Sequence, residues 1–300
     1  MNRLNHMLLL GCVLGACLAG AYRARAGEAV APGVPRRVIS ASPAITEMIY
    51  ALGAEACLAG VADFSAYPPA ARSLPRIGGA VNPNLEAIIA LKPDLVLISG
   101  DQGRVRELCA ARKIRVLRLD FDNWATITNA LQRIGDVLGV ASNAAAVRAD
   151  MARRWDAARG RARTGKPVAV LLCAGRAPGA VASCMTANGS SFLSEALEAA
   201  GGSNVCADVR GFYPEIAAEA ILARAPDAVF ELRPGEMLPP PAVERIVRDW
   251  APLRPVPAVK AGRIVILTND CLLVPGPRIV EIAELFEHAL RHMPALKRNP

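Results

Sequence analysis

The sequence predicts an α/β protein of two similar lobes separated by a helical connector, and three observations carry that prediction. Short β-branched and aliphatic runs alternate with amphipathic stretches over residues 37–119, and the alternation resumes at residue 168. Between them lies an Ala-, Leu- and Arg-rich stretch with apolar residues at helical spacing, Val147, Met151 and Trp155 among them. A phrase also recurs: Leu85 opens Leu-Glu-Ala-Ile-Ile-Ala-Leu-Lys-Pro-Asp, and Ala218 opens Ala-Glu-Ala-Ile-Leu-Ala-Arg-Ala-Pro-Asp. Strand–helix alternation at this spacing builds βαβ units on a mostly parallel sheet. In-register recurrence of one helix–turn–strand unit is what two lobes of common design produce.

Residues 1–26 read as an export signal and stand outside the fold. Arg3 supplies a positive start, and residues 7–21 are apolar but short for a bilayer span. Ala24-Arg25-Ala26 before Gly27 is a small-x-small cleavage site, while Leu14-Gly15-Ala16-Cys17 resembles a lipobox in which Cys17 is lipidated. Both exits lead to the periplasm or the extracytoplasmic face.

From there the elements follow in order. Val38-Ile39-Ser40 reads as a strand, and Ser42-Pro43 turns into a helix over 46–52 that Gly53 stops. A strand is expected at 58–62. Asn84 caps a helix over 85–91, with Glu86 in its first turn where the helix dipole favours a carboxylate. Pro93 ends that helix and 95–99 is the next strand, followed by a helix at 104–112 and a strand at 116–119. Helices at 126–138 and 143–163 form the connector. Beyond Gly165-Lys166-Pro167 come a strand at 168–172, a helix at 192–200 ended by Gly201-Gly202, and a helix at 215–224. A strand at 228–232, a helix at 243–250, a strand at 264–267 and a closing helix at 278–292 complete the chain. The expected divisions are a first lobe at 37–125, connecting helices at 126–165 and a second lobe at 166–293.

Composition narrows the function. With 300 residues and 53% hydrophobic content, each lobe has a sizeable core. The net charge of +8 is spread along the chain, without the basic run or aromatic cluster of a nucleic-acid binder, so a solvated basic surface is the reading. Of eight cysteines, Cys12 and Cys17 fall in the leader, leaving Cys57, Cys109, Cys173, Cys184, Cys206 and Cys271. An even number in an oxidising compartment suggests disulfides, more so in the second half, but spacing selects no pairing. No CxxC pair indicates a redox site or zinc ribbon, and no GxxxxGK[ST] loop occurs, so any ATPase is a separate subunit.

Several segments carry a resemblance to a known family. They are Arg37-Val-Ile-Ser-Ala-Ser-Pro-Ala-Ile-Thr-Glu47, Gly60-Val-Ala-Asp-Phe-Ser-Ala-Tyr-Pro-Pro69 and Asn84-Leu-Glu-Ala-Ile-Ile-Ala-Leu-Lys-Pro-Asp-Leu-Val96. Ser191-Phe-Leu, Gly201-Gly-Ser-Asn-Val, Ala220-Ile-Leu-Ala-Arg-Ala-Pro-Asp227 and Gly276-Pro-Arg278 continue them in order. Together they resemble the cobalamin and iron-siderophore substrate-binding proteins of ABC importers. The resemblance implies two Rossmann-like α/β lobes joined by a long rigid connecting helix, with the ligand in the cleft between lobes. It implies a monomeric binding protein rather than an enzyme, delivering its ligand to a permease dimer with separate ATPase subunits. A corrinoid, cobalamin or cobinamide, is the expected ligand. The same scaffold accommodates a ferric siderophore or haem, and a tetrapyrrole or metal enzyme on a chelatase-like scaffold is the more distant alternative.

The resemblance also carries residues. Ser65-Ala66-Tyr67-Pro68-Pro69 matches a turn whose tyrosine lies against the corrin, and Tyr213-Pro214 matches the aromatic of the second lobe. Ser42, Phe64, Ser65, Ala80, Asn82, Phe212 and Asp270 complete the expected ligand-binding set. Two aromatic faces opposed across a cleft suit a flat macrocycle. Where cobalamin-binding members carry a tryptophan, this chain has Gly78-Gly79-Ala80-Val81-Asn82, a smaller and more polar floor. Glu86 and Glu219, equivalent in the recurring phrase, match the surface glutamates that meet permease arginines. His6 leaves with the leader, and His288 and His292 lie beside Glu287 and Arg291 on what reads as a solvated helix face. No histidine falls in the expected cleft, which disfavours a histidine metal site or a Ser/His/Asp hydrolase. Arg176, Arg210 and Arg233 fall in second-lobe loops, where a solvated role outweighs pairing with ligand carboxylates. No catalytic residue, resident cofactor or metal site is expected.

Overall fold

Two parallel sheets of the same strand order carry the chain. In the computed structural model, which describes residues 33–162 and 166–293, the first sheet contains β1 (Val38–Ser40), β2 (Leu58–Val61), β3 (Leu95–Ser99) and β4 (Arg115–Leu119). Its order is β2-β1-β3-β4, every pair parallel. The second half contributes β5 (Val168–Cys173), β6 (Ser183–Met185), β7 (Gly202–Asn204), β8 (Glu215–Ala217), β9 (Ala228–Leu232) and β10 (Ile264–Leu267). Four of these form a parallel sheet of order β10-β9-β5-β7, while β6 and β8 pair antiparallel. Setting that small pair aside, both sheets place the first strand between the second and third, with the fourth at the edge.

The recurring phrase is the same joint in both sheets. The residue before each proline, Lys92 and Ala225, takes φ 45°, since proline disfavours the right-handed helical region for its predecessor. Asp94 then accepts from the backbone amides of Arg36 and Arg37 at 2.7 and 3.1 Å, and Asp227 from that of Ala169 at 3.3 Å. Each aspartate thereby ties the third strand of its sheet to the start of the first.

In the first half, α1 (Pro43–Ala51), α2 (Leu85–Ala90) and α3 (Gly103–Arg112) cover the sheet; α4 (Trp124–Val137) and α5 (Ala141–Arg161) follow as the connector. Asn123 and Thr126 form a capping box that starts α4. Trp124 and Trp155 stack with centroids 4.4 Å apart, holding α5 to α4. The second half adds α6 (Phe192–Ala199), α7 (Ala218–Arg224), α8 (Pro240–Asp249), α9 (Pro257–Lys260) and α10 (Ile279–His292). Arg154 of α5 grips Glu284 of α10 through bonds of 3.1 and 2.7 Å, and the Trp124 amide donates to Glu195 of α6 at 2.5 Å. One apolar core runs through the connector, taking in Val38 and Leu95 from the first sheet, Met151 and Trp155 from α5, and Val170 and Phe230 from the second sheet.

Four expectations are corrected here. Residues 215–224 are not one helix: Glu215–Ala217 pair with β6, and the helix begins at Ala218. Gly202–Asn204 form an edge strand where only a helix stop was expected. The six cysteines from Cys57 to Cys271 are all free thiols, five of them buried, so the expected disulfides are absent; they pack as small apolar side chains. Glu287 is 2% exposed and bonded to Arg161 and Arg291, so it belongs to the interior side of α10 rather than a solvated face. The expected leader, with Arg3, His6, Cys12 and Cys17, lies outside the described residues, among which no helix is long and apolar enough to cross a membrane.

Candidate functional site

In parallel α/β sheets, ligands bind beyond the carboxyl ends of the strands. Here the segments leaving β1 and β2 meet the segment leaving β10. The meeting point is Arg278, at the start of α10. Its Nε and Nη2 donate to Glu47 of α1 at 2.9 and 2.6 Å, a two-pronged bond from one lobe to the other. Its Nη1 donates to Asp270 at 2.5 Å, and its guanidinium carbon sits 3.7 Å from the centroid of the Tyr67 ring. Glu47 and Arg278 are 5% and 8% exposed. Burial pushes the Glu47 carboxyl above its ordinary range, outweighing the hydrogen bond and charge of Arg278. Burial pulls Arg278 down, but its bonds to Glu47 more than compensate and raise it.

Tyr67 is half-exposed, with Arg278 against its ring. Its phenol is raised, chiefly by burial, with Arg278 opposing and Glu281, Glu47 and Asp270 adding. The loop that presents it is fixed from below: Arg76 Nη1 donates to the carbonyls of Ala62 and Ser65, both at 3.0 Å. Two expected contact residues belong to this support instead. The Ser65 hydroxyl, buried, accepts from Thr46 at 3.0 Å; Ser42 is buried at the start of α1, where its carbonyl receives the Ser40 and Thr46 hydroxyls. The Ser65 side chain turns inward because a buried hydroxyl needs an internal hydrogen-bond partner. Phe64, by contrast, is 82% exposed beside Tyr67.

Ala80 and Asn82 lie exposed on a tight excursion closed by a bridge between Gly78 and Pro83. Gly78 is at φ 83°, and a Cβ there would meet the Asn82 carbonyl at 2.5 Å, so this turn requires glycine. On the second lobe Phe212 and Tyr213 meet edge to face, centroids 5.7 Å apart, both half-exposed. The Pro214 carbonyl accepts from Thr186 at 2.8 Å, tying that loop to the end of β6. Burial, with the charge of Asp122 added, pushes the Tyr213 phenol up to about 12. Asp122 precedes α4, so Tyr213 is close to the segment entering the connector. Asp270 is exposed and engaged with Arg278. Glu86 and Glu219 are exposed in the first turns of α2 and α7, at equivalent places in the two lobes.

Sequence reasoning missed the Glu47–Arg278 bridge, whose partners are 231 residues apart. It also misread Arg176, whose side chain is fully buried with Glu231 and Asp249, and Arg233, largely buried on Glu231; Arg210 is exposed as expected. A lone glutamate inside the apolar run of β9 was the available signal, because a buried charge requires partners. Among the described residues no group of three or more His, Cys, Asp or Glu is placed to hold a metal.

Comparison with known proteins agrees with this architecture. The family model described as "Periplasmic binding protein" matches residues 38–271. A "Vitamin B12-binding protein" of Photorhabdus laumondii is 30% identical over 253 residues, covering 83% of this chain and 86% of the relative. A solved periplasmic vitamin B12 binding protein of Vibrio cholerae superposes with a TM-score of 0.72 at 24% identity, covering 86% of this chain and 97% of that one. A solved periplasmic heme binding protein of Pseudomonas aeruginosa gives the same TM-score, 0.72, at 27% identity, with coverage of 88% and 94%. With the family pattern spanning both sheets, this chain belongs to the periplasmic binding protein family.

Proposed function

We propose that this protein captures a corrinoid in the cleft between its lobes and delivers it to the permease of an ABC importer. The observation that carries the reading is the pair of exposed aromatic groups at the cleft, Tyr67 backed by the Arg278 guanidinium and Tyr213 backed by Phe212. Rigid aromatic faces bury large apolar area at low rotamer cost, which suits a flat macrocycle. The vitamin B12-binding relative supports a corrinoid over other chelates. Ala80 and Asn82 form the rim, and the small Gly78-Gly79 floor leaves room for bulky substituents. Glu86 and Glu219 are the docking points for the permease subunits, one per lobe. The setting is the periplasm or the extracytoplasmic face, reached by cleavage after Ala26 or by lipidation of Cys17.

Titration of the purified protein with cyanocobalamin, cobinamide, haemin and a ferric siderophore, followed by absorbance and tryptophan fluorescence, tests the reading. Saturable one-to-one binding of the corrinoids supports it. Saturable binding of haemin alone assigns the cleft to haem, with Tyr67 as the candidate iron ligand.

A further inference from the structure

A second feature of the second lobe lies outside the aromatic pair. At the carboxyl ends of β5 and β9, a cavity of about 250 Å³ is lined by Gly175, Arg176, Glu231, Arg233, Glu236 and Leu273, among others. We propose that this cavity is a carboxamide-binding subsite, with Arg233 as hydrogen-bond donor and Glu236 as acceptor. The inference rests on the corrinoid reading and deepens it, because corrinoids carry peripheral acetamide and propionamide arms where haem carries carboxylates.

The local sequence builds the pair. Arg233-Pro234-Gly235-Glu236 is a β-turn closed by a 3.1 Å bond from the Glu236 amide to the Arg233 carbonyl, with Gly235 at φ 73°. Proline second and a left-handed glycine third are the requirements of a type II turn. Bonds from the Arg233 and Gly235 amides to the carbonyls of Leu267 and Thr268, 2.8 and 2.9 Å, pin the turn to the end of β10. The turn brings Arg233 Nη1 to 3.5 Å from Glu236 Oε1. That separation is too long for a strong hydrogen bond.

The rest of the guanidinium is held. Glu231 Oε1 accepts from Arg233 Nε at 3.0 Å and Nη2 at 2.6 Å, while Glu231 Oε2 accepts from Trp250 Nε1 at 2.7 Å. Arg176 packs behind, its Nε 3.0 Å from Glu231 Oε1 and its Nη2 3.1 Å from Asp249. Arg233 therefore enters the cavity wall pre-oriented, with its Nη1 edge facing Glu236.

Charge selects the occupant. Arg176 and Arg233 balance Glu231 and Asp249, and Glu236 leaves one negative charge in excess. A carboxylate entering here is repelled by Glu236, and an ammonium by Arg233. A primary amide satisfies both, its carbonyl accepting from Arg233 Nη1 and its N–H donating to Glu236, with no charge buried.

The test compares the full chain and a Glu236→Gln variant, each titrated with cyanocobalamin and with its three isomeric propionic monocarboxylic acids. For at least one acid, the parent is expected to bind about tenfold more weakly than the amide, the scale of one mispaired buried polar group. Glu236→Gln is expected to narrow that gap below about threefold, since Gln donates to a carboxylate. Equal affinity of the parent for all four ligands overturns the subsite while leaving corrinoid capture intact. An unchanged gap in Glu236→Gln overturns it as well. No binding of cyanocobalamin to the parent overturns the corrinoid reading itself, and the subsite with it.

Discussion

Replacing Arg278 by Met should destabilise the protein by about 3–5 kcal/mol, because it strands a buried carboxylate. Arg278 makes both bonds to Glu47, at 2.9 and 2.6 Å, and Glu47 is 5% exposed with no second ion pair among the described residues. The lost bond to Asp270 adds little, since that carboxylate side chain is 57% exposed. Loss of the guanidinium from the Tyr67 ring adds about 0.5–1 kcal/mol. Equilibrium urea unfolding followed by tryptophan fluorescence measures the difference. A Glu47→Met, Arg278→Met double variant should recover most of the loss, because an apolar pair of similar volume leaves no charge unpaired. The reasoning is refuted by a single variant within about 1 kcal/mol of the parent, the scale of an exposed pair. A double variant as unstable as the single one also refutes it.

Three further predictions follow from the cleft, the docking points and the second-lobe phenol. Tyr67→Ala should weaken ligand binding by about 2 kcal/mol or more, as an interface anchor does, whereas Tyr67→Phe should be mild in a binding titration; a large Phe effect identifies the phenolate as an iron ligand. Glu86→Lys and Glu219→Lys should leave ligand affinity unchanged and lower stimulation of the transporter ATPase; normal stimulation by both refutes the docking assignment. Because Tyr213 titrates near 12 in the folded protein against an ordinary value of 10.0, its contribution to stability is full below pH 10 and is lost as pH rises through about 12. Alkaline unfolding should therefore be shallower in Tyr213→Phe; an identical profile contradicts the shift.

Much of the fold was legible because local signals and tertiary placement agree. Pro93 and Pro226 mark the end of equivalent helices, and the aspartate after each makes the same tie to its sheet. Asn84 caps α2 through a 2.9 Å bond to the Ala87 amide, as the sequence suggests. What escaped depends on partners far away in the chain. Gly202-Ser203-Asn204 has no strand propensity of its own and is a strand only because β5 supplies its ladder. Glu215 and Ile216 fit a helical pattern, but pairing with Met185 and Cys184 overrides it. At the site, Tyr67 was singled out through the family resemblance of its five-residue turn, and it is half-exposed. The inward bond of Ser65 was not legible, because its hydroxyl finds Thr46 on another element. Arg278 acquires its role only from Glu47 in the other lobe.

A crystal structure of the protein with cyanocobalamin tests the central claim most directly. We predict the corrin ring in the cleft, in contact with Tyr67 and Tyr213, with Arg278 still bonded to Glu47 behind the Tyr67 ring. A corrin ring seated away from both tyrosines, or outside the cleft between the lobes, would contradict it.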